Sequence, residues 1–253
     1  MRIYLATGLL LAVALHAAEP LRFESGSARV SLIELFTSEG CSSCPPADLW
    51  LGSLRGDPGL WREFVPVEFH VNYWDRLGWK DRLSTGEFTA REYAYASAWG
   101  SNGVYTPCFV RNGSPWRPPR GAPAGPSGPG ATPGVLSVEV GVDGVCAARF
   151  TPGPDAGPAP AGHDIHLALL AGGISSRVTA GENRGQTLSH EFVVLGTADK
   201  ALSKDAGSPT ERAAVALPHP IAAGATRRAL AAWVTRRGEL APLQATGGWL
   251  SQP

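Results

Sequence analysis

The stretch Glu34-Leu35-Phe36-Thr37-Ser38-Glu39-Gly40-Cys41-Ser42-Ser43-Cys44-Pro45-Pro46-Ala47-Asp48 decides how this chain is read. Upstream of the cysteines, Ala28 to Phe36 is dominated by aliphatic residues and then cut off by polar and glycine residues, as a buried strand would be. Downstream, Pro45 and Pro46 suit the first turn of a helix, where backbone N–H groups lack partners anyway. The pattern predicts a helix from the cysteines to about Leu54, stopped by Gly56-Asp57-Pro58-Gly59. Phe64 to Tyr73 reads as a second strand, which completes a βαβ unit with a right-handed crossover.

A single Cys-x-x-Cys pair at a strand-to-helix turn favours redox chemistry over zinc. A structural zinc site needs about four protein ligands, and no H-x-x-x-H partner follows; His163 and His166 lie far along the chain. At a helix start, free N–H groups and the helix dipole favour a thiolate. Cys41 is therefore the expected attacking sulfur, and Cys44 the resolving one. Glu34, in the preceding strand, is a candidate proton relay for Cys44 if buried, or a partly exposed residue at a sheet edge. Thr106-Pro107 falls just before a strand, where thioredoxin-like folds carry a cis-proline that lies against the cysteines and positions an extended peptide.

Beyond the second strand, Ser84-Thr85-Gly86-Glu87 fits a capping box with Ser84 as cap, and Gly100 closes the helix that follows. The dense group His70, Tyr73, Trp74, Asp75, Trp79, Lys80 and Asp81 lines a groove beside the thiols on one reading. On the other, the tryptophans cover the domain and Lys80 pairs with Asp81 at the surface. Asn112-Gly113 is a turn. Residues 114–134, mostly Pro, Gly, Ala and Ser, read as an extended linker. After it come the hairpin of Val135–Val142 and Val145–Phe150 around Asp143-Gly144, and further strand candidates to Thr235. The expected division is a leader at 1–18, an α/β thioredoxin-like domain at 28–113, the linker at 114–134 and an all-β, sandwich-like domain at 135–253.

The first residues carry a positive head (Met1-Arg2), an apolar run from Ile3 to Leu15 and small residues at Ala17 and Ala18, the pattern of a secretory signal peptide. Export to a periplasmic or secreted location follows, together with conditions in which disulfides persist. Equal numbers of basic and acidic residues, 22 of each, leave no basic field for nucleic acid. No stable membrane span is expected once the leader is removed.

The quoted motif resembles the secreted, thioredoxin-like family known as domain of unknown function 1223. The resemblance continues through Phe69-His70-Val71-Asn72-Tyr73-Trp74-Asp75, Leu77-Gly78-Trp79-Lys80-Asp81 and Tyr105-Thr106-Pro107. It resumes at Gly181-Glu182-Asn183-Arg184-Gly185 and Leu188-Ser189-His190. It implies a thioredoxin-like fold, export, and a function not established for the family. Two features depart from the family pattern: the Pro/Gly linker stands where a helix usually follows the Thr-Pro strand, and Cys108 directly follows the proline.

The resulting expectation is an exported thiol–disulfide oxidoreductase-like protein. It would use Cys41, Cys44, Thr106 and Pro107 on protein or peptide thiols, with no organic cofactor. The alternative is a non-enzymatic protein that binds copper through Cys41, Cys44 and Cys108, or binds a partner with the pair as a structural disulfide. Cys146 belongs to a β core, or bridges to Cys108.

Overall fold

Alternating and continuous apolar runs commit most of the chain to strands. The computed structural model describes residues 20–119, 130–221 and 224–250. The expected leader at 1–18 lies outside the described residues, as do residues 120–129 of the expected linker. Among the described residues no helix is long and apolar enough to cross a membrane. In chain order the elements are β1 (Leu21–Glu24), β2 (Ser31–Thr37), α1 (Pro45–Ser53), β3 (Phe64–His70), α2 (Gly86–Ala98), β4 (Cys108–Arg111) and β5 (Ser114–Trp116). There follow β6 (Gly134–Val140), β7 (Val145–Pro152), β8 (His163–Gly172), β9 (Ile174–Arg177), β10 (Thr187–His190) and β11 (Val193–Ala201). The last four are β12 (Ser203–Lys204), β13 (Glu211–Ala216), β14 (Arg227–Arg236) and β15 (Pro242–Trp249).

The expected α/β thioredoxin-like domain beside an all-β domain is not what forms. One mixed sheet runs β15-β14-β8-β11-β3-β2-β4-β5 and takes strands from both ends of the chain. The joint is β3, which pairs in parallel with β2 on one side and with β11 on the other, through Val193 opposite Glu68. A separate domain needs its own core. Here Leu32, Phe36 and Phe69 share a core with Ala168, Val194, Ala229 and Trp233. Strands dominate, with two α-helices among the described residues.

A second sheet, β1-β6-β7-β13-β12, packs on the β14–β8 half of the first. Because side chains alternate across a strand, β14 serves both layers. Ala229, Ala231 and Trp233 enter the first core, while Leu230, Ala232 and Val234 enter the core between the sheets. That double burial explains its unbroken apolar run. The helices lie on opposite faces of the β2–β3 region. Thr37 reaches Asp48 of α1, whereas Glu34 and Phe36 meet Tyr95 of α2.

Local signals carry through with two adjustments. Thr85, not Ser84, caps α2 by accepting from Phe88 N at 3.2 Å, and Ser84 Oγ instead donates to the Asp81 carbonyl. Asn112 and Gly113 both hold positive φ, 50° and 83°, as a two-residue hairpin turn demands. The chain therefore folds back at once, and Ser114–Trp116, read as the start of a linker, is strand β5 paired with β4. A Cβ at Gly113 would come within 2.7 Å of Ala241 Cβ.

Gln244, fully buried in β15, ties the N-terminal segment to both sheets. Its Oε1 accepts from Val30 N and Ala245 N, and its Nε2 donates to the carbonyls of Ala28 and Gly134. Replacing Gln244 with Ala leaves several of these groups unpaired and is expected to cost about 3 kcal/mol. A clear drop in the urea midpoint is the predicted result; an unchanged midpoint contradicts this role for Gln244.

Candidate functional site: a disulfide loop on a buried polar network

β2 ends at Thr37, the chain turns through Ser38–Ser43, and α1 begins at Pro45 with Cys44 as its cap residue. Cys41 and Cys44 form a disulfide with their Cα atoms 5.4 Å apart. The turn is closed by Cys41 N donating to Ser38 O and Cys44 N donating to Cys41 O. The Thr106-Pro107 bond is cis, and Thr106 O lies 3.9 Å from Cys41 Sγ. Trp74 Nε1 donates to Thr106 Oγ1 at 2.8 Å and so braces that loop. Both cysteines are fully buried, while Ser42 and Ser43 face solvent.

The helix start is a weaker anion trap than the sequence suggests. Pro45 and Pro46 remove two first-turn donors. The nearest replacement is Ser43 Oγ, 3.3 Å from Cys41 Sγ. A negative charge also sits on the loop: the exposed Glu182 carboxylate accepts from Ser42 N at 3.0 Å, and that bond holds its carboxyl below the usual range.

Beneath the loop lies a cluster of buried polar side chains. Glu68 Oε1 accepts from both His70 Nε2 and His190 Nδ1, each at 2.8 Å. His70 Nδ1 donates to Asp81 Oδ2 at 2.7 Å, and the same oxygen accepts from Glu39 N at 2.9 Å. Glu39 Oε2 accepts from Trp79 Nε1. Asn183 donates to the carbonyls of Glu39 and Cys41, both at 2.9 Å. Residues 181–190, packed beside α1, thus pin the cysteine loop on the same face of the sheet.

Charge follows from this wiring. Burial alone would push both imidazoles down. The charge of Asp81, with Glu68, raises His70 well above its ordinary value, and Glu68 with Glu39 raises His190 to about 9. Burial pushes Glu68 and Asp81 up, but the histidines outweigh it and both end below the carboxylate range. Asp48 behaves in the opposite way. It sits one turn below Cys44 on α1 and accepts from Thr37 Oγ1 at 2.6 Å. Burial and the nearby Glu68 charge raise it to about 7. A cavity of about 130 Å³ between α1 and β10, lined by Pro45, Asp48, Leu49, Gln186, Thr187, Leu188 and Ser189, connects this carboxyl to the outside.

The other candidate residues divide by face. Glu34 is fully buried, but on the α2 side, where Arg91 Nε donates to it at 2.7 Å and Tyr95 OH at 2.5 Å. It is bound up in that ion pair, across the sheet from α1 and the buried network. Cys108 lies opposite Phe36 on β4, near Tyr105 and Glu92, and burial pushes its thiol up to about 11. Cys108 and Cys146 are both free and belong to different cores. His163 pairs with Glu211 and His166 with Asp199, so the H-x-x-H spacing gathers no site. Of the aromatic and charged group, His70, Trp79 and Asp81 join the network and Trp74 the proline loop, while Lys80 is exposed and Asp81 pairs inward. Asp48, Glu68, His190 and Asn183 were not singled out as site residues by sequence. The available signal was Glu68 and His70 interrupting one face of an otherwise apolar strand.

These features define a β-rich, mixed-sheet protein with a cysteine-pair disulfide at a helix start and a cis-proline beside it. Within that class, the chain belongs to the family described as protein of unknown function DUF1223, which it matches over residues 32–235. Two solved structures share the fold. A protein from Agrobacterium tumefaciens is 24% identical, with 87% of this chain and 94% of that chain covered and a TM-score of 0.57. HBP35 of Porphyromonas gingivalis is 14% identical, with 88% and 76% covered and a TM-score of 0.58. No curated protein matches the chain.

An acid raised from 3.8 to about 7 destabilises the fold as pH rises through that window, because the unfolded chain gives up its proton first. Thr37, Glu68, His70 and His190 are the groups facing Asp48. Asp48→Asn is therefore expected to raise Tm at pH 8, on the order of 5 °C, with the gain shrinking toward pH 4. Thermal scans in metal-free buffer check this; an equal effect at both pH values contradicts the assignment.

Proposed function

We propose that the protein is exported and exchanges disulfides with protein or peptide thiols through the Cys41–Cys44 pair. The observation that carries this reading is the disulfide at the β2–α1 junction with the Thr106 carbonyl 3.9 Å from Cys41 Sγ. A backbone acceptor at that position suits an extended peptide laid against the sulfurs. The N-terminal leader pattern supports export.

A partner thiolate attacks Cys41 Sγ, the Cys41–Cys44 bond breaks, and Cys44 leaves as a thiolate. Asp48, half protonated near neutrality and one helical turn away, supplies the proton that Cys44 takes up. A second partner thiol then attacks the mixed disulfide and frees Cys41, so the partner dithiol is oxidised and the pair reduced. The reverse sequence reduces a partner disulfide. No organic cofactor enters either direction.

Full burial of both cysteines favours a second reading, in which the bridge braces the loop for partner binding. Trapping separates the two. Cys44→Ser is expected to accumulate a mixed disulfide with a model peptide disulfide, while Cys41→Ser forms none and Cys108→Ser behaves as wild type. Equal inertness of wild type and every variant toward the peptide supports the brace. Glu182→Gln removes a charge beside the pair and is expected to lower the Cys41 thiol pKa, measured by alkylation rate against pH.

A further inference from the structure

We propose that Glu68, His70 and His190 form a zinc site inside the fold, independent of the cysteine pair. Their donor atoms, one per residue, all lie within 4.8 Å of one another. Glu68 Oε1 is 2.8 Å from one nitrogen of each imidazole. Zinc bonds of ~2.0–2.1 Å in a tetrahedral arrangement place ligand atoms roughly 3.3 Å apart. Opening the cluster by about half an ångström therefore replaces two hydrogen bonds with a shared cation.

The surroundings are those of a metal centre. His70 donates Nδ1–H to Asp81 Oδ2 at 2.7 Å, which fixes its tautomer and aims Nε2 at Glu68. Within this cluster three buried atoms lack a hydrogen-bond partner among the described residues: Glu68 Oε2, Glu39 Oε1 and His190 Nε2. Glu39 Oε1 and His190 Nε2 face each other at 3.5 Å, too long for a good hydrogen bond. Buried polar atoms are rarely left so; a cation held by Glu68 and His190 Nδ1 engages the Glu68 carboxylate and leaves the His190 proton on Nε2, directed at Glu39 Oε1. Three carboxylates, Glu39, Glu68 and Asp81, converge on two imidazoles, an excess of negative charge that suits a divalent ion. Two nitrogens and a carboxylate match the class of zinc site that uses three protein ligands and leaves the fourth position to water, whereas Cu(I) seeks thiolates. The cavity between α1 and β10 ends at Asp48 and Ser189, the neighbour of His190, while the three ligands themselves lie buried behind that wall.

The test is equilibrium dialysis of the oxidised full-length protein against zinc, followed by metal analysis and cobalt substitution. One zinc per chain is expected, retained in the Cys41→Ser/Cys44→Ser double variant and reduced below a tenth of an equivalent in His190→Ala. Glu68→Gln, which keeps shape, guards against misfolding: with an unchanged circular dichroism spectrum it should also lose the metal. Asp81→Asn should weaken binding roughly 10–100-fold as a positioning residue. The cobalt form should show tetrahedral d–d bands without sulfur charge transfer. Sub-stoichiometric zinc in the wild type, zinc retained by Glu68→Gln, or zinc lost with the cysteines overturns the proposal.

Discussion

The carboxylate of Glu68 sits in the middle of a sheet, at the one register where β3 meets β11, with no exposure to water. A buried charge is tolerable only when paired and hydrogen-bonded. That requirement recruits His70 from the same strand and His190 from β10, more than a hundred residues on. His190 in turn faces Glu39, and Asn183 fastens the Glu39 and Cys41 carbonyls. The cysteine loop is thus held by the C-terminal half of the chain through one chain of polar contacts. The single mixed sheet and the placement of the disulfide are two consequences of the same constraint.

The network also divides the chemistry by face. On the α1 face, charged groups crowd under the disulfide and push Asp48 to about 7. On the α2 face, Glu34 is neutralised by Arg91, whose guanidinium also stacks over Phe69, Tyr95 and Trp233. A carboxylate three residues before Thr37 is therefore structural, and one four residues after Cys44 is chemically poised. Strand periodicity and helix periodicity decide between them.

Local structure was legible in the sequence because its causes are local. The cysteine-to-helix junction, the α2 cap region, the Asn112-Gly113 turn and the Asp143-Gly144 hairpin each rest on residues within a few positions of one another. The fold class was not, because β3–β11 pairing depends on Val193 finding Glu68 across the chain. The βαβ unit of β2, α1 and β3 is present, but nothing in its own residues says that β3 has a second neighbour. Glu34 is open in the sequence for a related reason: both its burial and the sheet face it occupies depend on the positions of the two helices. Asp48 and His190 stand in the quoted motifs, and Glu68 in the second strand, but none carries a role from sequence alone, because a polar residue in a strand or helix reads as solvated until its partners are known.

Disulfide exchange requires the Cys41–Cys44 bond to be a working redox couple rather than a fixed brace. Its reduction potential, measured by equilibration with glutathione or dithiothreitol redox buffers, decides the matter most directly. A potential above about −300 mV, within reach of ordinary thiol exchange, is the expected result. A bond that stays oxidised well below about −300 mV would mark a structural disulfide and contradict it.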